Sequence, residues 1–320
     1  MLSARGQVPK IVKPKNAAPK EKRAGKVAIV GRANVGKSTL LNALLGEPIA
    51  IVSKHAQTTR DQILGVLTRG DAQLGFIDTP GLHKARHKLG ARMNALARDA
   101  AREADVVVFV TDVTSPPRAT FSEEDRAILK ALPTDVPVVL VLNKIDRVKE
   151  KHAMLAVLEG VAKEYDFKSI IPVSALRTDG IERIVDEVSQ LLPKGDFLFE
   201  GDALSDKPVR FFVTEFVREQ ILQKTYQEIP HGIAVAVERF DESGPVYMIE
   251  LAVHVDREAH KKILIGAKGA MMKAVGTAAR ARIEAMLGKH VHLQLWVRVT
   301  PGWAESDDKL RELGYAPENR

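Results

Sequence analysis

The sequence predicts a larger α/β domain, built on a mixed and mostly parallel six-stranded sheet, followed by a smaller α+β module. Three observations lead there. Over residues 26–192, short runs rich in Val and Ile alternate with longer amphipathic stretches, as they do when helices cover both faces of a parallel sheet. Residues 193–208 break that pattern with two Pro, two Gly and four acidic residues, the composition of a linker. Beyond them the order becomes helix, two strands, two helices and a strand, and 320 residues are enough to bury a core in each unit.

In chain order, apolar runs place strands over 26–30, 65–68, 73–77, 106–112, 136–143 and 169–174. Apolar residues three or four apart place helices over 38–45, 88–103, 123–132, 150–165 and 181–192, with Ser122 as N-cap of the third. In the second unit a helix is expected over 212–226, strands over 233–240 and 246–255, and helices over 257–265 and 270–287. Residues 291–299 alternate apolar and polar strictly, as a half-buried strand does.

Charge is unevenly distributed. Residues 1–25 hold seven Lys or Arg against one Glu and read as a disordered basic arm; a transit peptide would favour Arg and Ser over the Lys and Pro found here. Residues 26–207 balance 25 basic against 25 acidic side chains, so positive charge lies outside the first domain and a polyanionic partner is met elsewhere. The chain has no cysteine, which excludes disulfides and thiolate chemistry and suits a reducing, cytoplasmic compartment.

Residues 31–38 read Gly-Arg-Ala-Asn-Val-Gly-Lys-Ser, a P-loop between a predicted strand and a predicted helix. Its backbone amides wrap phosphates, Lys37 reaches the β and γ oxygens and Ser38 ligates Mg²⁺, so Gly31, Asn34, Val35, Gly36, Lys37, Ser38 and Thr39 form the expected phosphate site. Asp78-Thr79-Pro80-Gly81 ends a neighbouring strand, where a carboxylate serves Mg²⁺ and the Gly81 amide meets the γ-phosphate. Asn143-Lys144-Ile145-Asp146 ends another. Guanine presents N1–H and N2–H donors together, and the two oxygens of Asp146 accept both, which selects GTP over ATP. Asn143 ties this loop to the P-loop, the stem of Lys144 covers the base, and the amides around Ser174, Ala175 and Leu176 face guanine O6.

Together these elements resemble the translation-factor-related GTPases. Gln57-Thr58-Thr59-Arg60 and the run from Asp78 to Lys84 are similar to switch I and switch II of the Era-type family, with Ala33 and Ala85 where many relatives have Pro. The resemblance implies that Thr59 ligates Mg²⁺ and the γ-phosphate, and that Lys37, Thr59 and Gly81 carry catalysis on GTP, leaving GDP. Leu82 occupies the place of the water-orienting Gln of Ras-like enzymes, so turnover is expected to be slow. Asn34 is expected, as in similar GTPases, to help hold K⁺ beside the phosphates; equal hydrolysis rates in potassium and sodium buffers would contradict this. His83 and His87, four apart, lack a third ligand nearby and are not read as a metal site.

In the second unit Gly266-Ala267-Lys268-Gly269 falls between two predicted helices, and residues 257–289 hold eight basic side chains against two acidic. Small residues on the following helix, Ala270, Ala274, Gly276, Ala278 and Ala281, would leave a groove floor open to bases. The bland reading is a packed helix pair with a basic, solvated face. The arrangement resembles a type II KH domain, which Era-type proteins carry after the GTPase domain and end with a segment similar to Pro301-Gly302-Trp303-Ala304 and the run from Leu310 to Tyr315. The resemblance covers residues 26–316 and gives bounds of 26–192 for the GTPase domain, 193–208 for the linker and 209–316 for the KH domain with its tail. It implies contact of Lys261, Lys262, Ile265, Gly266, Ala267, Lys268, Gly269 and Lys273 with single-stranded RNA. By family that RNA is the 3′ end of 16S ribosomal RNA of the small ribosomal subunit, and the protein is expected to be a monomer with peripheral contact to the inner membrane face. Two alternatives stay open: a related assembly GTPase whose KH-like module docks on protein or membrane, and a metabolic or tRNA-modifying GTPase.

Overall fold

The computed structural model describes residues 21–55, 58–82, 87–113, 119–148, 151–200, 203–225, 229 and 232–315. Most of the basic arm lies outside the described residues, as do Gln57, His83, Lys84 and Ala85. The first unit runs β1 (Arg23–Val30), α1 (Lys37–Leu45), β2 (Ile63–Arg69), β3 (Ala72–Asp78), α2 (Lys88–Glu103) and β4 (Val106–Asp112). It continues through α3 (Glu123–Lys130), β5 (Val138–Asn143), α4 (Lys151–Ala162), β6 (Ser169–Pro172) and α5 (Ile181–Leu191). The sheet has the order β2-β3-β1-β4-β5-β6, with β2 antiparallel to β3 and the other pairs parallel.

Alternation along the central strands sorts their side chains to two apolar layers. Val27, Ile29, Val106, Val108, Val139 and Val141 face α1 and α5, while Ala28, Val30, Val107, Phe109 and Leu140 face α2, α3 and α4. Ser122 caps α3 by accepting from the Asp125 amide (3.1 Å), as the sequence predicts. Within the reversal of strand order around β1, the carboxyl ends of β1, β3 and β5 open a crevice of the kind that binds ligands in such sheets.

One strand boundary differs clearly from expectation. β1 begins at Arg23, inside the segment read as arm, because Arg23–Gly25 pair in parallel with Ala72–Leu74 and the Arg23 guanidinium caps the carbonyls of Gln190 and Leu192. The described residues of the linker, 193–200 and 203–208, bond to the first unit. They run back along the sheet edge, where the Val66 amide donates to Leu204 O (3.0 Å), Ser205 Oγ donates to Leu64 O (2.5 Å), and Gln73 Oε1 accepts from the Leu198 and Phe199 amides. An edge strand leaves backbone groups unpaired, and this strap satisfies some of them.

The second unit runs α6 (Val209–Lys224), β7 (Ile233–Asp241), β8 (Val246–Val255), α7 (Glu258–Ile265), α8 (Ala270–Leu287), β9 (His290–Val299) and α9 (Asp307–Glu312). β8 lies between an antiparallel β7 and a parallel β9, and α6, α7 and α8 pack against this sheet. Between the units, Leu89 and Met93 of α2 join Ala234, Trp303 and Leu310 in one buried apolar cluster. No helix among the described residues is long and apolar enough to cross a membrane.

Candidate functional site: a phosphate cradle, a base-reading loop and a basic loop

The phosphate cradle is the turn from β1 into α1. Gly36 adopts φ +100°, and a Cβ there would lie 2.4 Å from Asn143 Nδ2, so only glycine lets Asn143 donate to Val35 O (2.8 Å). Gly36 offers α1 no side-chain cap and the first turn carries no acid, which leaves the amides at the positive end of the helix dipole to an anion. Lys37 lies buried, its ammonium donating to the carbonyls of Gly31 (3.1 Å) and Arg32 (2.9 Å). Asn34, Lys37, Ser38, Thr39, Thr59 and Lys144 are among the residues lining a cavity of about 330 Å³ above it.

Three oxygens meet on the floor of this cavity. Ser38 Oγ donates to Asp78 Oδ2 (2.6 Å) and lies 2.8 Å from Thr59 Oγ1, which itself stands 3.4 Å from the same carboxylate oxygen. Asp78 Oδ1 is buried without a hydrogen-bond partner. Burial pushes the Asp78 carboxyl up to about 6 against the pull of Lys37, and burial pushes the Lys37 ammonium down to about 8. Hydroxyl and carboxylate oxygens with an unused buried acceptor form a hard donor set that fits Mg²⁺, with Ser38, Thr59 and Asp78 as its protein partners.

The base-reading loop is fixed from three sides. Asn143 Oδ1 accepts from the Lys144 amide (2.8 Å) and the Ala175 amide (3.0 Å), while its Nδ2 holds the P-loop. Ser174 Oγ donates to Asp146 Oδ1 (2.6 Å) and so orients the carboxylate expected to read guanine. Lys144 spans the gap to the P-loop, its ammonium donating to Asn34 O (2.5 Å) and Asp112 Oδ2 (2.9 Å). Beside it, the Ser174 amide donates to Asp179 O (3.0 Å) and the Ala175 amide to Asn143 Oδ1, while Leu176 is 78% exposed.

Sequence reasoning missed Asp112. This carboxylate at the end of β4 also pairs with Arg32 (3.0 Å), and Arg32 pairs with Asp125 (2.8 Å), so one residue ties the phosphate loop to the base loop. An Asp closing an apolar strand was the available signal. The switch I segment closes the cavity through Ser53, Lys54, Thr58 and Thr59, and Asn34 Nδ2 donates to Lys54 O (3.3 Å). Leu82 packs on an apolar cluster and its amide donates to Gly31 O (3.3 Å), so that position offers water no polar side chain. His87 is the N-cap of α2, its Nδ1 accepting from the Gly90 amide (3.0 Å).

The basic loop lies at the junction of α7 and α8. Gly266 adopts φ +69° and ψ 179°, a region open essentially to glycine alone, and a Cβ there would lie 2.8 Å from Met271 Cβ. Lys268 follows with φ +50° and an exposed side chain. α8 starts at Ala270 with no side-chain cap and no acid in its first turn, a second set of amides open to phosphate. Lys262, Ile265, Ala267 and Lys273 are exposed around it; Lys261, Gly266 and Gly269 are half-buried. Ala270, Ala274 and Ala281 are exposed on α8, whereas Gly276 faces Leu295 of β9 and so belongs to the packing between helix and sheet rather than to a groove floor.

Comparison with known proteins agrees with both halves. Residues 26–144 match the family described as 50S ribosome-binding GTPase, and residues 228–304 match the KH domain. The chain is 44% identical over 294 residues to GTPase Era of Trichlorobacter lovleyi, covering 92% of this chain and 98% of that protein. It is 41% identical over 295 residues to GTPase Era of Ruminiclostridium cellulolyticum, covering 92% and 97%. A crystal structure of Era in complex with MgGDPNP and nucleotides 1506–1542 of 16S ribosomal RNA superposes with a TM-score of 0.89 at 37% identity, over 92% of this chain and all of that one. A point variant of Aquifex aeolicus Era bound to GDP and AlF4⁻ gives 0.88 at 37% identity with the same coverage.

Proposed function

The chain belongs to the Era family of GTPases, and from that premise we propose that it is a GTP-hydrolysing switch that binds the 3′ end of 16S ribosomal RNA and assists assembly and RNA maturation of the small ribosomal subunit in the cytoplasm. The observation that carries this reading is the meeting of Ser38, Thr59 and Asp78 beneath the P-loop. It joins a cation site, a phosphate cradle and switch I in one place, and Asp146 stands on a loop bonded to that cradle.

On binding GTP, the ammonium of Lys37 exchanges the carbonyls of Gly31 and Arg32 for β and γ phosphate oxygens. When bound, Mg²⁺ supplies charge neutralisation on those oxygens. Thr59 and the amide of Gly81 orient the γ-phosphate, and the switch I segment excludes bulk water from it. With Leu82 contributing no proton acceptor, the chain's own residues position the reactants and stabilise charge, and intrinsic turnover is slow. The reading assigns Asn34, whose Nδ2 donates to Lys54 O (3.3 Å), to a monovalent cation shared with switch I.

The RNA half of the reading rests on the open amides of α8 and on Lys268, which contact phosphate and single-stranded bases in the manner of a KH loop. Lys268→Glu is expected to weaken binding of a fluorescent RNA carrying the 16S 3′ segment by about tenfold or more, since it removes one phosphate contact and adds repulsion. Unchanged affinity would contradict the placement. A wild-type protein that ignores this RNA would favour a module that docks on protein or membrane.

A further inference from the structure

Residues 48–55 and 58–60, between α1 and β2, are held by the C-terminal module at several points. Arg282 of α8 donates to Pro48 O (2.8 Å), Glu219 of α6 accepts from the Val52 amide (3.0 Å), His55 Nε2 meets Thr225 O (3.1 Å), and Arg218 donates to Thr58 O. Arg60 enters the module itself. Its guanidinium donates to Ile233 O at the start of β7 and lies 5.5 Å from the ring centre of Trp303 and 5.8 Å from that of Tyr315.

These are costly contacts. Arg60 is 4% exposed, Arg218 1% and Glu219 3%, and charges so deeply buried need close partners to offset lost hydration. Arg218 has its partner in Glu215; among the described residues no carboxylate forms an ion pair with Arg60, which relies on the Ile233 carbonyl, the side chain of Tyr315, the faces of the Trp303 and Tyr315 rings and the more distant charge of Glu215. Thr59 and Arg60 are neighbours whose side chains bond to different units. One reaches Ser38 and Asp78 in the nucleotide site, and the other reaches the tail of the RNA module.

We propose that Arg60 and Arg218 are positioning residues for GTP hydrolysis. Held by the C-terminal module, they set switch I so that Thr59 meets the cation and γ-phosphate, and the hydrolytic site is incomplete without Trp303, Tyr315 and α6. The inference rests on reading Thr59 as a ligand made only in the triphosphate state, and it extends that reading from the GTPase domain to the module beside it. Removing the Arg60 anchor frees the segment, and the loss falls on the state that uses Thr59.

The test is to titrate the whole chain with GDP and with a non-hydrolysable GTP analogue in Mg²⁺, for wild type, Arg60→Ala, Arg60→Lys and Thr59→Ala. Arg60→Ala is expected to weaken the analogue by about tenfold, with GDP affinity within about twofold of wild type. Arg60→Lys keeps the charge but not the planar stacking and is expected to fall between. Should Arg60→Ala fail to fold, Arg60→Lys and Arg218→Lys answer the same question. Equal losses for both nucleotides, or no loss for either, would overturn the inference. If Thr59→Ala itself leaves analogue affinity untouched, the underlying reading of Thr59 fails; if Thr59→Ala discriminates and the Arg60 variants do not, only the inference does.

Discussion

Asp146→Asn is expected to weaken GTP binding by about 10²- to 10⁴-fold while leaving the fold intact, because two charge-assisted hydrogen bonds are lost and a guanine donor faces an amide donor. The substitution is nearly isosteric, and the Ser174 hydroxyl can still donate to the retained oxygen. The effect is therefore one of recognition. Xanthosine triphosphate carries a carbonyl where guanine carries its exocyclic amine, so it should regain most of the lost affinity. Calorimetric titration of the variant with both nucleotides checks this. Undiminished GTP affinity would mean that another group reads the base.

Thr59→Ala is expected to slow hydrolysis by about 10²-fold at saturating GTP, with GDP affinity little changed. Thr59 is buried, and its hydroxyl contacts both Ser38 and Asp78, the two other members of the cation site. Its removal leaves the carboxylate and the P-loop serine in place but takes away the hydroxyl proposed to link switch I to the γ-phosphate. Single-turnover assays separate this from slower product release. An equal loss of GDP affinity would place Thr59 in the general architecture of the site instead.

Much of both predictions was legible in the residues alone. The P-loop, Asp78 and Asn143 through Asp146 follow strands whose apolar runs are plain, and each lies at a carboxyl end because that is where such sheets open. α2, β4, β8 and α8 begin and end where periodicity places them. What escaped is tertiary in origin. The start of β1 at Arg23 is set by pairing with β3, not by any property of Arg23. The strap 193–208 has a linker's composition and is held by a fully buried Gln73 far away in sequence. Arg218 sits on a helix rich in charge and cannot be told from a solvated residue without the switch segment against it. The same holds for Asp112, whose bridging of Arg32 and Lys144 joins three separate strand ends.

The contacts between residues 48–60 and the C-terminal module are the route by which nucleotide state is expected to reach that module. Arg282 lies on the helix that begins at the Gly-x-x-Gly loop, stacks 4.2 Å from the ring centre of Phe216 and holds Pro48 at the root of switch I. A segment that follows the γ-phosphate at one end and is bonded to this helix at the other is expected to shift the module with nucleotide state, which RNA affinity in the two states checks.

The most direct measurement is the affinity of the whole chain for RNA carrying the 16S 3′ segment, read at fixed salt with a GTP analogue and with GDP. A nucleotide that sets the grip predicts binding tighter by about tenfold with the analogue, a coupling of about 1.4 kcal/mol. Equal affinities in the two states would contradict the switch and leave two independent binding sites on one chain.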